Sequence, residues 1–363
     1  MKLSIIIVSW NTCELTLKCV KSVFKYLNFC HSHERKFASG KLSQNSEIKL
    51  DPAARERRDD RKEKRDDKLE VFIVDNNSSD NTVEKLEKIN PVKSLHDHGV
   101  KPRVPSNRDL RGASLKIIKN KNNLGFAKAN NQAIKQATGD FILLLNPDTE
   151  FIDNSILKLI EFMRDKELDP SLRSGQAKKI GIVGPKLLNS DKTLQRSCRR
   201  FPKLIDQIFI QLKFYNFFPN KISAIKKYFM LDFDHNEIRE VDQIMGAAML
   251  IKRQVFDNIG FLDEKFWLVF EEVDFCKRAK DAGWKIYFYP DCQIIHHKEQ
   301  SFKQINNFKK QINFNKSLYY YFKKHRPFYE LFILWLLQTI NLLLVFIDSK
   351  IKIRKIFRKD RDL

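Results

Sequence analysis

The stretch Leu143–Glu150 reads LLLNPDTE. It completes a short apolar run, Phe141–Leu145, with the length and composition of a strand covered on both faces. Pro147 has no N–H to give to a ladder, so the strand stops before it. Asp148 is thereby held at the carboxyl end of a central strand, and in open α/β sheets ligands bind along that edge. Asn, Pro and Asp are also ordinary turn formers, so the motif by itself leaves both readings open.

Outward from this point, strands and helices alternate. LSIIIVSWN (Leu3–Asn11) is β-branched and apolar, and CELTLKCVKSVFKYL (Cys13–Leu27) places apolar residues at helical spacing. LEVFIVDNNSSDNT (Leu69–Thr82) is a strand running into a polar loop, followed by the helical TVEKLEKI (Thr82–Ile89). Ser114–Asp140 reads as a strand, an Asn/Gly loop and a helix ending at Gly139. This rhythm predicts βαβ units, right-handed crossovers and an α/β fold with a mostly parallel sheet flanked by helices. The second half continues with a strand at KKIGIVGPKLL (Lys178–Leu188) and a strand and short helix in VDQIMGAAMLIKRQVFDNIG (Val241–Gly260). Phe261–His297 adds a helix ended by Gly283 and a strand ended by paired histidines.

Two segments interrupt the rhythm. Residues 31–68 contain RERRDDRKEKRDDK (Arg55–Lys68), eight bases against six acids, which is the composition of a solvated insertion. Residues 91–113 are rich in Pro, Gly, Asn and Arg and read as a second surface insertion. Near the other end, LFILWLLQTINLLLVFI (Leu331–Ile347) is apolar but interrupted by Gln338, Thr339 and Asn341. A membrane-spanning helix needs ~20 predominantly apolar residues, and this run is shorter. Bases flank it at Lys323–Arg326 and from Lys350 onward. It is borderline for a span and reads as a helix lying in or dipping into the anionic cytoplasmic leaflet of a membrane, or as a buried helix packed on the domain or an oligomer contact.

The 363 residues are 42% hydrophobic, enough for one large domain or two smaller ones. The net charge of +22 points to nucleic acid, an anionic membrane surface or a phosphorylated substrate. No zinc finger, RNP-type or helix-turn-helix pattern accompanies the dispersed bases, which argues against nucleic acid. Cys13, Cys19, Cys30, Cys198, Cys276 and Cys292 are scattered, as suits free thiols in a reducing compartment. The N-terminal MKLSIIIVSWN lacks a small-residue cleavage site and reads as a strand, not a signal peptide.

Asn11, Asp75, Asp148 and His296 all follow or end strands, so a parallel sheet would gather them along one edge. Asp75 could accept from a base N–H or a ribose hydroxyl, or close an Asx turn. Gly125, between strand and helix, permits close backbone approach. Neither a Walker lysine pattern nor a G-x-G-x-x-G is present. Asp148 and His296, with diphosphate oxygens and water, could complete an octahedral Mg²⁺ or Mn²⁺ site. Glu271, Glu272 and Asp274 open a helix, where acids complement the dipole or one acts as a general base. Arg199 and Arg200 are either phosphate partners or surface charges.

Taken in order, SIIIVSWN, VFIVDNNSSDNT, NKNNLGFAKANNQAI, LLLNPDTE, GAAMLIKR, GFLDEKFWLVFEEVDFCKRAKDAGWKIYFYP and IIHH resemble the inverting nucleotide-sugar enzymes of glycosyltransferase family 2, in its rhamnosyltransferase-like branch. The resemblance covers residues 3–300 and implies a GT-A fold, a divalent metal, a nucleoside-diphosphate sugar donor and a glycan or lipid-linked acceptor. Residues 1–300 would then form the catalytic domain, with 301–363 a helical tail. By the same resemblance Asp75 holds the nucleoside, with Asn11, Asn77, Gly125 and Asn146 on the donor side. Asn146 and Asp148 fall on the D-x-D-type metal motif, here N-P-D, which leaves metal binding chiefly to Asp148. His296 matches an additional metal ligand of some members. Glu272 falls on the catalytic carboxylate, usually Asp, and Glu271 is its neighbour and alternative. A nucleotidyltransferase would put a metal-bound nucleotide at the same edge, but no Gly-rich, Lys/Arg-containing loop follows SIIIVSWN.

Overall fold

The structure, a computed structural model, describes residues 2–27, 68–89, 113–165, 180–214, 222–297 and 307–351. Except for Lys68 and Ala113, the segments 31–68 and 91–113 lie outside the described residues. In chain order the elements are β1 (Lys2–Ser9), α1 (Cys13–Leu27), β2 (Lys68–Asp75), α2 (Thr82–Ile89), β3 (Ala113–Lys119), α3 (Phe126–Ile134), β4 (Phe141–Leu145) and β5 (Thr149–Phe151). There follow α4 (Ile156–Asp165), β6 (Ile180–Leu188), β7 (Leu194–Gln195), β8 (Cys198–Arg199), α5 (Leu204–Gln211), α6 (Ser223–Tyr228), β9 (Arg239–Glu240) and β10 (Gln243–Ile244). The last are β11 (Ala248–Lys252), α7 (Arg253–Ile259), α8 (Glu271–Asp281), β12 (Lys285–His296), α9 (Asn307–His325) and α10 (Phe328–Ile351).

The continuous apolar runs hide a period of two, because successive side chains of a strand leave opposite faces of the sheet. Ile5 and Ile7 of β1, Val71 and Ile73 of β2, and Leu143 and Leu145 of β4 enter one core layer with Leu17, Val20 and Val23 of α1. Ile6, Phe72, Val74, Ile142 and Leu144 enter the other, against Ala127, Ala129 and Ala133 of α3. Both faces are covered, so no polar alternation is visible in the sequence.

The main sheet runs β3-β2-β1-β4-β11-β6-β12-β5. β3, β2, β1 and β4 are parallel, and β12 is parallel to β6. β11 departs from the parallel expectation: it is antiparallel to both β4 and β6. It joins the sheet at the edge where β4 leaves it, with Ala248 opposite Leu145 and the Asn146 N–H donating to Ala247 O at 2.8 Å. A strand that starts there must run backwards. Two reversals return β6 and β12 to the direction of β4, so the carboxyl ends of β1, β2, β4 and β12 share one edge.

α9 and α10 form a hairpin broken at Pro327, which disfavours helical backbone at the residue before it. Leu318, Tyr321 and Phe322 of α9 and Leu331 and Leu334 of α10 close a third cluster with Phe266, Phe270 and Val273. Polar residues that interrupt the apolar run in the sequence point into the domain. Gln338 Nε2 donates to Asn315 O at 2.8 Å, and Asn341 Nδ2 to Gln211 O at 2.7 Å. No helix among the described residues is long and apolar enough to cross a membrane. Cys13, Cys19, Cys198, Cys276 and Cys292 are buried free thiols, and burial pushes Cys19, Cys198, Cys276 and Cys292 up to about 12.

Candidate functional site

The strand stop at Pro147 sets the first part of the site. Past the turn, in which Thr149 N–H and Oγ1 donate to Asn146 O, the chain forms β5 antiparallel to β12 with Thr149 opposite His296. The neighbouring His297 N–H donates to Asp148 O at 2.8 Å. Two residues far apart in sequence thus face each other: His296 Nε2 lies 3.3 Å from Asp148 Oδ1, and both side chains are buried. Asn146 Nδ2 is 3.4 Å from the same ring nitrogen.

Gln195 orients the histidine. Its Nε2 donates to Asn189 Oδ1 at 2.8 Å and His296 O at 3.3 Å, so its Oε1, 2.6 Å from His296 Nδ1, must be the acceptor there. Nδ1 therefore carries a proton and Nε2 is directed at the Asp148 carboxylate. A ring nitrogen and a carboxylate oxygen this close in a buried place need a proton or a cation between them. That donor set suits a divalent ion completed by phosphate oxygens and water, and an oriented imidazole is the usual partner arrangement for metal-binding histidine. Among the described residues no group of three or more His, Cys, Asp or Glu side chains could enclose an ion. A metal here would rely on ligands from a substrate.

The second part is the start of α8. Val269 and Phe270 precede it with φ of 60° and 72°, a left-handed pair in non-glycine residues. Such backbone costs about 1–3 kcal/mol per residue and persists only where surrounding contacts impose it. Here Phe270 is buried in the third cluster, and Ser317 Oγ of α9 donates to Leu268 O at 2.9 Å. The turn delivers Glu271 and Glu272 into the same cleft as Asp148. Glu271 is buried, Glu272 is half-buried, and each has an Oε2 atom with no hydrogen-bond partner among the described residues. Burial, reinforced by the charge of Glu272, pushes Glu271 well above the ordinary carboxylate range. Burial also raises Glu272, against the nearby Arg199 guanidinium.

One turn further along α8, Asp274 is fully buried. It accepts from Arg278 Nε at 2.8 Å, from Lys324 Nζ at 2.8 Å and from His325 Nε2 at 2.7 Å. Burial alone would raise its carboxyl; the hydrogen bonds from His325 and Lys324 and the charge of Arg278 hold it at about 2. The acid-bearing helix is therefore bolted to the α9–α10 hairpin.

The cleft measures about 420 Å³. Gly125, Asn146, Asp148, Glu271, Glu272 and His296 line it, together with Trp10, Gln195, Arg196, Arg199, Phe229 and Trp267. Asn11, Asp75 and Asn77 do not. Asn11 Oδ1 accepts from Ser79 N–H at 2.7 Å and ties the loops after β1 and β2 together; Asn77 is exposed. Asp75 Oδ2 accepts from Ser78 N–H at 3.2 Å, the turn geometry, while Oδ1 is buried without a partner among the described residues. Gly125, at φ 80°, answers to a protein neighbour: a Cβ there would lie 2.4 Å from Trp267 O. Of the paired arginines, Arg199 faces the cleft, and Arg200 lies 3.7 Å from Asp242. Gln195 and Arg196 gave no signal in the sequence, because a two-residue strand has no periodicity to read.

Residues 59–210 match the family model "Glycosyl transferase family 2". The chain is 26% identical over 218 residues, 57% of its length and 66% of the relative's, to an N-acetylglucosaminyl-diphospho-decaprenol L-rhamnosyltransferase of Mycobacterium tuberculosis (strain ATCC 25618 / H37Rv). It is 26% identical over 183 residues, 48% of its length and 61% of the relative's, to the rhamnosyltransferase WbbL of Escherichia coli (strain K12). The chain thus spans less than two thirds of the length of these relatives. Among solved structures, the mannosyltransferase PcManGT from Pyrobaculum calidifontis, in complex with GDP-Man and Mn²⁺, has a TM-score of 0.46 at 14% identity, over 89% of this chain and 63% of that one. The match to the family 2 glycosyltransferase model thus lies within residues 59–210, and the curated relatives are named rhamnosyl- and hexosyltransferases.

Proposed function

We propose that this chain is an inverting, metal-dependent glycosyltransferase of cell-surface polysaccharide assembly. It moves a sugar from a nucleoside-diphosphate sugar to a hydroxyl of a glycan or lipid-linked acceptor, at the cytoplasmic face of a membrane. Residues 1–300 form its catalytic domain and 301–363 its tail. The observation that carries the reading is the meeting, in one cleft, of the Asp148–His296 pair with the Glu271–Glu272 pair. The mycobacterial relative's name, which specifies a sugar on a diphospho-decaprenol, supports a lipid-linked acceptor.

Asp148 and His296 would hold Mg²⁺ or Mn²⁺, with Asn146 beside them. Bound there, the ion would act as a Lewis acid that neutralises charge on a departing diphosphate. Gln195 keeps the proton on His296 Nδ1 and so keeps Nε2 free to bind. Asp75 Oδ1 is an acceptor that a base N–H or a ribose hydroxyl would satisfy. Glu272, the more accessible of the two acids, takes the proton from the acceptor hydroxyl as its oxygen attacks the anomeric carbon; Glu271 is the fallback. The bond to the diphosphate breaks with its electron pair leaving on phosphate oxygen, and one in-line displacement inverts the centre. Trp10 and Trp267 line the cleft beside these groups.

A screen of nucleotide sugars tests this. The expected result is release of nucleoside diphosphate that depends on Mn²⁺ or Mg²⁺ and on a hydroxyl acceptor. Release of pyrophosphate would make the protein a nucleotidyltransferase instead.

A further inference from the structure

α10 is apolar on both of its faces, which is unusual for a helix on a water-facing surface. Such a helix normally buries its apolar stripe and shows polar residues to solvent. Here Leu331, Leu334, Leu337 and Asn341 are buried on the domain, with Gln338 and Asn341 bonded to backbone carbonyls of α9 and α5. The opposite face exposes Phe328 (82%), Phe332 (57%), Trp335 (54%), Leu336 (44%), Ile340 (47%) and Leu343 (59%). Two of the three residues that lower the run's hydropathy in the sequence therefore point away from this face. One helix surface is apolar for about four turns, with Thr339 as its exposed polar position.

Charge selects the occupant. Exposed Lys323 stands shortly before the helix, while Lys324 is held by Asp263 and Asp274. The twelve residues of the sequence after Ile351 contain six Lys or Arg against two Asp. A second copy of the chain would bring like charges together at both ends of the face. An anionic bilayer instead meets an apolar strip with bases at each end, the pattern of helices that lie in the headgroup plane. Trp335 and Tyr329 are residue types enriched at that depth.

We propose that the outer face of α10 is an in-plane docking surface for an anionic lipid bilayer. The surface is mechanically continuous with the cleft, since α9 and α10 share a cluster with Phe266 and Phe270, which flank the wall residues Trp267–Val269. Docking would hold that wall behind α10, one helix layer from the lipid in which a lipid-linked acceptor resides. The proposal deepens the membrane setting suggested above, but vesicle binding is read with neither donor nor acceptor present, so a failed transferase assay leaves it standing.

The test uses the full chain with vesicles of phosphatidylcholine, alone or mixed with phosphatidylglycerol. Co-sedimentation with the mixed vesicles is expected, with at least tenfold weaker binding to phosphatidylcholine alone. The triple variant Phe332→Ser, Trp335→Ser, Leu336→Ser alters exposed positions and is expected to lose at least tenfold in binding with an unchanged melting curve. In the unaltered protein, lipids brominated near the headgroup should quench the emission that Trp335→Phe removes. Absence of that quenching, or equal binding by a folded triple variant, overturns the proposal. A concentration-dependent dimer that the triple variant dissociates, with no vesicle binding, also overturns it and makes the face an interface between copies.

Discussion

Asp148 and Glu272 face one cleft, yet the chain holds them there in different ways. Asp148 is fixed by the sheet itself: a strand stop at Pro147, a three-residue strand on β12 and one backbone hydrogen bond from His297. Glu272 hangs on a left-handed turn that survives because the α9–α10 hairpin packs behind it and Asp274 ties α8 to Lys324 and His325. The lesson is that a carboxylate at a strand end can be placed by strand pairing, whereas a buried acid on a helix needs an outside brace. Burial disfavours its charge, and the helix carrying it must be kept from drifting toward water.

This contrast can be broken at four points. Asp148→Ala should have the largest effect, a loss of about 10³-fold or more in metal-dependent turnover with the fold intact, since metal charge neutralisation is worth several kcal/mol. Nucleoside diphosphate release across a Mn²⁺ titration measures it, and near-normal activity in a folded variant would remove Asp148 from the metal site. Glu272→Gln should cost about 10²-fold or more in transfer while donor binding survives, because the amide keeps size but takes no proton. If Glu271→Gln is dead and Glu272→Gln active, the base moves by one residue.

The brace comes next. Asp274→Asn leaves three basic side chains without their buried carboxylate and should lower unfolding free energy by about 3 kcal/mol in urea titration at neutral pH. Asp274 is depressed in the folded state, so its contribution is present above the unfolded carboxylate range and is lost as pH falls toward about 2. The deficit of the variant should shrink along the same window; a constant deficit would mean the aspartate acts by packing alone. The smallest effect is on the acid limb of the pH–rate profile. Burial raises Glu272, so activity should rise with pH through a limb above the ordinary glutamate range. Arg199→Met removes a positive charge that holds Glu272 down and should move that limb to higher pH.

The two regions also differ in how well the sequence reveals them. Phe141–Leu145 followed by Asn-Pro-Asp marks a buried strand and its end, because apolar length and the missing N–H of Pro147 are local facts. The acidic start of α8 is equally visible, but the backbone that aims it is not: Val269 and Phe270 carry no signature of positive φ. The reversal of β11 is silent as well, since Ala248–Lys252 reads as a buried strand in either direction. Gln195 reaches His296 because the short β6–β7 hairpin is carried beside β12 by the long-range pairing of β6 with β12, which no neighbouring residue announces. In the tail, Gln338 and Asn341 look in the sequence like breaks in an apolar helix. Their hydrogen bonds show that they face the domain, a distinction that depends on tertiary packing.

The buried cysteines carry a consequence for handling the molecule. The nucleophile in disulfide exchange and alkylation is the thiolate. With Cys19, Cys198, Cys276 and Cys292 pushed up to about 12 and enclosed in the core, neither the ionised sulfur nor an access route exists in the native state. Their labelling rate is then set by how often the domain opens. Two of them, Cys19 beside Asn146 and Cys276 on α8, lie in the two halves of the site. A labelling time course resolved by residue would thus clock the opening of the Asp148 edge separately from that of the braced acid helix.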